Sequence, residues 1–141
     1  MRKKKKRMLV AISILGFIIL FYVGVSIWTG ITVDKIVSSS YERFGELSDE
    51  LGGVISAEDY KLLNIRERSS RMTDESEEIN ERTFPIVFHT FFTAKASYNI
   101  KYNCIIHPDG SEGLGYITRV TIILRLNNFH WEVVAVQMPP N

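Results

Sequence analysis

Hydrophobic and polar positions divide the chain into regimes of different period. From Met8 to Trp28 the residues are almost all apolar, and none carries a charge. From Val33 to Leu51 the apolar residues recur at intervals of three and four, at Val33, Ile36, Val37, Tyr41, Phe44, Leu47 and Leu51, while Asp34, Lys35, Glu42, Arg43 and Glu46 take the other side. From Ala94 onward the period is two: Ala94, Ala96, Tyr98, Ile100, Tyr102, Cys104 and Ile106 alternate with Lys95, Ser97, Asn99, Lys101 and Asn103. These periods predict a helix that is apolar all round, an amphipathic helix and a half-buried strand.

The first regime is long enough to cross a bilayer. At about 1.5 Å of rise per residue, some 20 helical residues span a hydrocarbon layer of roughly 30 Å, and a helix satisfies its own backbone where water cannot. Arg2, Lys3, Lys4, Lys5, Lys6 and Arg7 stand directly before it, and such a cluster is held on the cytoplasmic side. The expected organisation is a basic cytoplasmic segment over residues 1–7, a transmembrane helix over 8–29 and an extracytoplasmic domain over 30–141. Leu9, Ile12, Leu15, Phe17, Ile19, Phe21, Val25 and Trp28 are its lipid-facing residues, with Tyr22 and Trp28 as interfacial aromatics.

A cleaved signal peptide shares the basic start, but its apolar core runs only about 7–15 residues and ends in small side chains. Here the stretch ends in Ile27-Trp28, and Gly24-Val25-Ser26 is the one passable cleavage triplet. An uncleaved anchor is the expectation. Lipid attachment would require a cysteine just after the apolar core, and the single cysteine is Cys104. Gly16 and Gly24 do not form a G-x-x-x-G pairing motif.

The amphipathic helix is expected to start near Thr32 as N-cap and to stop at Gly52-Gly53. Ser56-Ala57-Glu58-Asp59 reads as a capping box opening a short helix through Asn64. Residues 66–82 are nearly all charged or small and polar, which predicts an exposed loop with a weak acidic helix after Thr73. Thr83 to Phe92 is ambiguous. Its β-branched and aromatic content suits a strand, but Phe84, Val87, Phe88, Phe91 and Phe92 also fit a three-four spacing, so a short buried helix is expected. His107 to Gly113 supplies a turn, a second strand runs from Gly115 to Asn127, Asn127-Asn128 turns the chain again, and Trp131 to Val136 is the last strand. Pro139-Pro140 ends pairing.

Composition changes the picture in two places. Of the 141 residues, 111 follow residue 30, enough for one compact domain. Six of the 17 Lys and Arg precede the anchor, leaving 11 against 16 acidic residues, a net of −5 that argues against a nucleic-acid partner. One cysteine closes no intramolecular disulfide, so core burial has to stabilise the fold.

Helices first, then long antiparallel strands joined at an Asp-Gly turn, then a closing strand Trp131-Glu132-Val133-Val134-Ala135-Val136 after a polar turn: this order resembles the NTF2-like (cystatin-like) α+β superfamily over about residues 33 to 137. The resemblance implies helices packed on a curved antiparallel sheet. It also implies a role as enzyme, ligand pocket or non-catalytic interaction module. Membrane-anchored relatives of this kind include small bacterial envelope proteins and the bitopic inner-membrane subunits of type IV secretion and conjugation machines.

Reactive constellations are sparse. His89, His107 and His130 lie in separate elements without metal-ligand spacing, and Glu75, Glu77, Glu78 and Glu81 lack the glycine of a calcium loop, so no metal or cofactor is expected. Gly110 to Gly115 joins two strands and is a hairpin rather than a phosphate loop. Cys104 is expected to be an inert buried thiol. On the expected inner face, Tyr98, Tyr102 and Tyr116 are the candidates to line a small pocket. The leading expectation is a non-enzymatic module on the cell membrane, with the bilayer and either a protein partner or a second copy as its contacts; a small-molecule pocket is the alternative.

Overall fold

The computed structural model describes residues 2–41, 47–63, 77–106 and 108–139. The chain is α+β: two helices precede an antiparallel sheet. Helix α1 runs Arg2–Tyr41, about 60 Å at 1.5 Å per residue. The apolar stretch and the amphipathic stretch are therefore one helix, and the expected boundary between residues 29 and 30 falls inside it. Thr32 caps nothing. Its hydroxyl donates to the Trp28 carbonyl at 3.0 Å, one turn back, as the Thr29 hydroxyl does to Val25 at 2.8 Å. The sequence suggested a start there because Thr32 can serve as an N-cap ahead of Asp34, but packing against the sheet decides the conformation.

Ser38, Ser39 and Ser40 return their hydroxyls to the carbonyls of Asp34, Ile36 and Val37, the back-bonding that small polar residues adopt inside helices. The expected end of the helix at Leu51 is corrected. Residues 49–54 form turns, with Leu51 and Gly52 both donating to the Ser48 carbonyl, and Phe44 lies outside the described residues. Lys35 on α1 pairs with Glu50, fastening these turns to the helix.

Helix α2 (Ala57–Leu63) is short, and Ser56 caps it as the sequence indicates. The Asp59 N–H donates to Ser56 Oγ at 3.1 Å, and the Ser56 hydroxyl donates to the Asp59 carboxylate at 2.9 Å. A cap of this kind contributes about 1 kcal/mol. Tyr60 turns inward and donates from its hydroxyl to Ser39 Oγ, linking α2 to α1.

The sheet is built on β3 (Thr93–Ile106) and β4 (Glu112–Asn127), paired from Thr93↔Arg125 to Ile106↔Glu112. β5 (His130–Gln137) continues it on the far side of β4. On the other edge of β3 two strands lie end to end: β1 (Glu77–Arg82) covers residues 100–106 and β2 (Ile86–His89) covers 94–97. The sheet is thus four strands wide (β2, β3, β4, β5) at one end and three (β1, β3, β4) at the other. Irregularities in β1 at Ile79/Asn80 and between β4 and β5 at Ile123/Leu124 bend it locally.

Two expectations fail on this edge. Residues 77–82 are a strand and not an acidic helix, because a 14-residue β3 leaves backbone donors and acceptors that β2 alone cannot reach. The part of that expected helix over residues 73–76 lies outside the described residues. Residues 86–89 are likewise a strand, not a buried helix, and Phe84, Phe88, Phe91 and Phe92 are exposed. Pro85 fits between the two strands, where its missing N–H interrupts no ladder.

The core follows the periods read from sequence. Val33, Ile36 and Val37 of α1 meet Ala94, Ala96, Tyr98 and Ile100 of β3 and Val120, Ile122 and Leu124 of β4, closed by Trp131, Leu51, Ile55, Tyr60 and Leu63. All are at most 5 % exposed. On the outer face Ser97 and Thr121 share a hydrogen bond at 3.2 Å, and Lys101 faces Glu81 at 3.8 Å.

Candidate functional site

The distinctive surface is the free part of α1 together with the end of the sheet beside it. Between Met8 and Val23 thirteen large apolar side chains are 43–72 % exposed, on every side of the helix. The anchor residues Leu9, Ile12, Leu15, Phe17, Ile19 and Phe21 belong to this set, Val25 is half-buried, and Trp28 rests against Trp131 with ring centroids 5.9 Å apart. At about 1.5–3 kcal/mol for each such side chain when fully exposed, leaving this surface in water would cost on the order of 10–20 kcal/mol. That matches or exceeds the roughly 5–15 kcal/mol by which a whole domain is stable. The helix requires a non-aqueous environment or a cover.

Lys3 to Arg7 occupy the first turns of α1, exposed, with no acidic residue among them; the Arg2 side chain is outside what is described. Cations at a helix N-terminus oppose the helix dipole and repel one another, at about 0.3–1 kcal/mol apiece. Their placement works against the isolated helix and suits a neighbouring anionic surface.

β2 lies along α1 and runs back toward its N-terminus. At Gly30 an added Cβ would come within 2.8 Å of Phe84 Cε1 and 3.8 Å of Val87 Cγ2. Two turns earlier His89 stacks on Tyr22, ring centroids 4.0 Å apart at 17°, with His89 Nε2 2.9 Å from the Tyr22 carbonyl. Gly30 is the point of closest approach, which yields a sharp expectation. Gly30→Ala should stay within about 1 kcal/mol of the parent, since its gain in helix propensity offsets a shift of the exposed Phe84 ring. Gly30→Leu should lift β2 off the helix, seen as faster hydrogen exchange in residues 86–89.

Beyond His89 the chain turns through Thr90, Phe91 and Phe92, and the β4–β5 hairpin turns at the same end of the sheet through Asn128 and Phe129. Phe91, Phe92 and Phe129 are 78, 71 and 92 % exposed. Asn128 and Phe129 both have positive φ, 46° and 62°. A two-residue turn of this hand favours Asn-Gly, and a bulky residue in the left-handed region costs roughly 1–2 kcal/mol. The chain places an aromatic ring at an exposed and strained turn position.

Comparison with protein-family models, with curated proteins and with solved structures found no match. The surface therefore has to be read from its own geometry. Tyr98 is 2 % exposed and part of the core, so packed side chains cover the sheet at this level. Tyr102 and Tyr116 stand opposite each other in the β3–β4 register, four residues beyond Tyr98; their side chains, like that of Cys104, are outside what is described. His130 lies 3.1 Å from Glu132 at the rim of the last hairpin, far along the chain from His89, and His107 lies outside the described residues. Among the described residues no group of His, Cys, Asp and Glu has the arrangement of a metal site.

Sequence reading located the apolar helix and its basic leader but missed the phenylalanine tips. The three-four spacing placed Phe91 and Phe92 in a buried helix, and the expected turn at Asn127-Asn128 left Phe129 unread. The available signal was an aromatic at the second position of a two-residue hairpin, where glycine is ordinary.

Proposed function

We propose that this chain is a single-pass membrane-anchored module. The basic leader stays in the cytoplasm, the apolar part of α1 crosses the bilayer, and the α+β domain, of the NTF2-like type, works outside by contacting a protein partner or a second copy rather than by catalysis. The observation that carries the reading is the change of environment along one unbroken helix: thirteen exposed apolar side chains between Met8 and Val23, then Val33, Ile36 and Val37 buried in the domain core. A helix with that division holds its domain against the surface it enters, with no loop between anchor and body. The net charge of −5 beyond the anchor keeps the domain off anionic polymers and favours contact with protein.

Two measurements test this. In a Cys104→Ala background, a cysteine at Asp109 should react with a membrane-impermeant maleimide in intact spheroplasts, while one at Lys4 should react only after permeabilisation. The reverse pattern, or a chain recovered in the soluble fraction, overturns the anchored topology. Crosslinking and light scattering in detergent should then show a dimer or a copurifying protein; a strict monomer without a partner overturns the interaction role.

A further inference from the structure

We infer that the two phenylalanine hairpin tips, Thr90–Phe92 and Asn128–Phe129, seat in the outer leaflet at the lipid–water boundary, so that the domain grips the bilayer at points beside its own helix. The inference rests on the anchored reading and adds a second, peripheral membrane contact to it.

The helix supplies a ruler. From Met8, 14 residues reach Tyr22 and 20 reach Trp28, about 21 and 30 Å of rise. A hydrocarbon layer of roughly 30 Å that begins at Met8 therefore ends near Trp28, with Tyr22 about 9 Å inside it. His89 stacks on Tyr22, and the turn that follows continues in the same direction along the helix. The sheet end thus overlaps the outer part of the span by about one and a half turns of helix. Moving the bilayer toward the N-terminus until Tyr22 marks its outer edge would draw the layer back to residue 2 and take in Arg2 to Arg7. Six consecutive cations cannot all reach water from there. Tilting the helix shortens its projection and brings the tips deeper.

The tips are built for that depth. Their exposed large apolar side chains are Phe91, Phe92 and Phe129, beside the exposed Thr90 and Asn128. Several of the first turn's polar groups are paired internally: the Thr90 N–H donates to the Thr93 carbonyl at 2.8 Å, the Phe92 carbonyl accepts from the Leu126 N–H at 2.8 Å, and the Thr93 N–H donates to Thr90 Oγ1 at 3.2 Å. Such closure is what a water-poor layer demands of a loop. Just behind the tips come Lys95, Arg125, His130 and Glu132, with Arg125 3.8 Å from Glu132, and at this depth the long basic side chains have to extend outward to reach the headgroups. An aromatic ring at the strained Phe129 position is explained by a surface that rewards it.

The test uses the full chain with Cys104→Ala, reconstituted in vesicles of phosphatidylcholine and phosphatidylglycerol. Single cysteines at Phe91, Phe129, Leu15 and Ser111 carry the environment-sensitive fluorophore NBD, and the lipids carry nitroxides either near the headgroup or at mid-chain. Labels at 91 and 129 should be blue-shifted relative to 111 and quenched best by the shallow nitroxide, the label at Leu15 best by the deep one, and the label at Ser111 by neither. If Leu15 is quenched while 91 and 129 are not, the tips are covered by water or by a second protein, and this inference falls while the anchor stands. An unquenched Leu15 removes the anchor itself and the tip contact with it.

Discussion

Replacing Ile31 by proline should cost at least about 3 kcal/mol, although the Ile31 side chain is 56 % exposed and buries little. The loss comes from the backbone: proline removes the N–H that bonds the Ile27 carbonyl and its ring collides with that oxygen, at the one stretch where the helix passes from free to buried. For a domain of this size, about 4–8 °C of melting temperature is lost per kcal/mol, so near-ultraviolet circular dichroism in detergent should show a drop of more than about 12 °C. Ile31→Ala serves as the control and should lie within about 0.5 kcal/mol of the parent. A proline variant that melts with the parent would mean that α1 is two helices with a tolerant joint.

The second large effect belongs to Trp131. It is 2 % exposed, leans on Trp28 and closes the core at the end of the sheet nearest the free helix. Trp131→Ala should cost about 3–5 kcal/mol, the usual penalty for emptying a large aromatic site. Trp28→Ala alone should cost less, since Trp28 is 42 % exposed. A double-mutant cycle should return a coupling of about 0.5–1.5 kcal/mol, measured by denaturant unfolding in one detergent throughout. Strictly additive losses would show that the rings share a neighbourhood without sharing energy.

How much of this was legible in the residues depended on whether the signal was local. β3, β4 and β5 were legible because alternation holds from Ala94 to Cys104 and the first turn carries Asp-Gly, while the second turn falls at Asn128-Phe129, one residue beyond the Asn127-Asn128 expected. The free part of α1 was legible because an uncharged run apolar on all sides over so many residues is long enough, as a helix, to span a bilayer. β1 was not, since Glu-Glu-Ile-Asn-Glu-Arg has little strand propensity and is held by the length of β3, a fact about another part of the chain. β2 was misread through an assumption that phenylalanines gather inside. Here Val87 and His89 face the helix, while Ile86 and Phe88 point outward at 63 and 69 % exposure. The joint near residue 30 was misread because Thr32 looks like an N-cap, yet the helix runs through it and the space beside Gly30 is filled by the Phe84 ring.

Each margin of the sheet is obstructed at one point. Along β5 the Val133 N–H, which would greet an incoming chain, already donates to the Val54 carbonyl at 2.6 Å. Along the opposite margin the row is interrupted between Arg82 and Ile86, where Pro85 has nothing to donate and Thr83 turns back to Asn99. Molecules crowded together in two dimensions meet far more often than in solution, and an open margin would let them zip into fibres. At these two points the margins obstruct such zipping, so contact between copies falls to other surfaces.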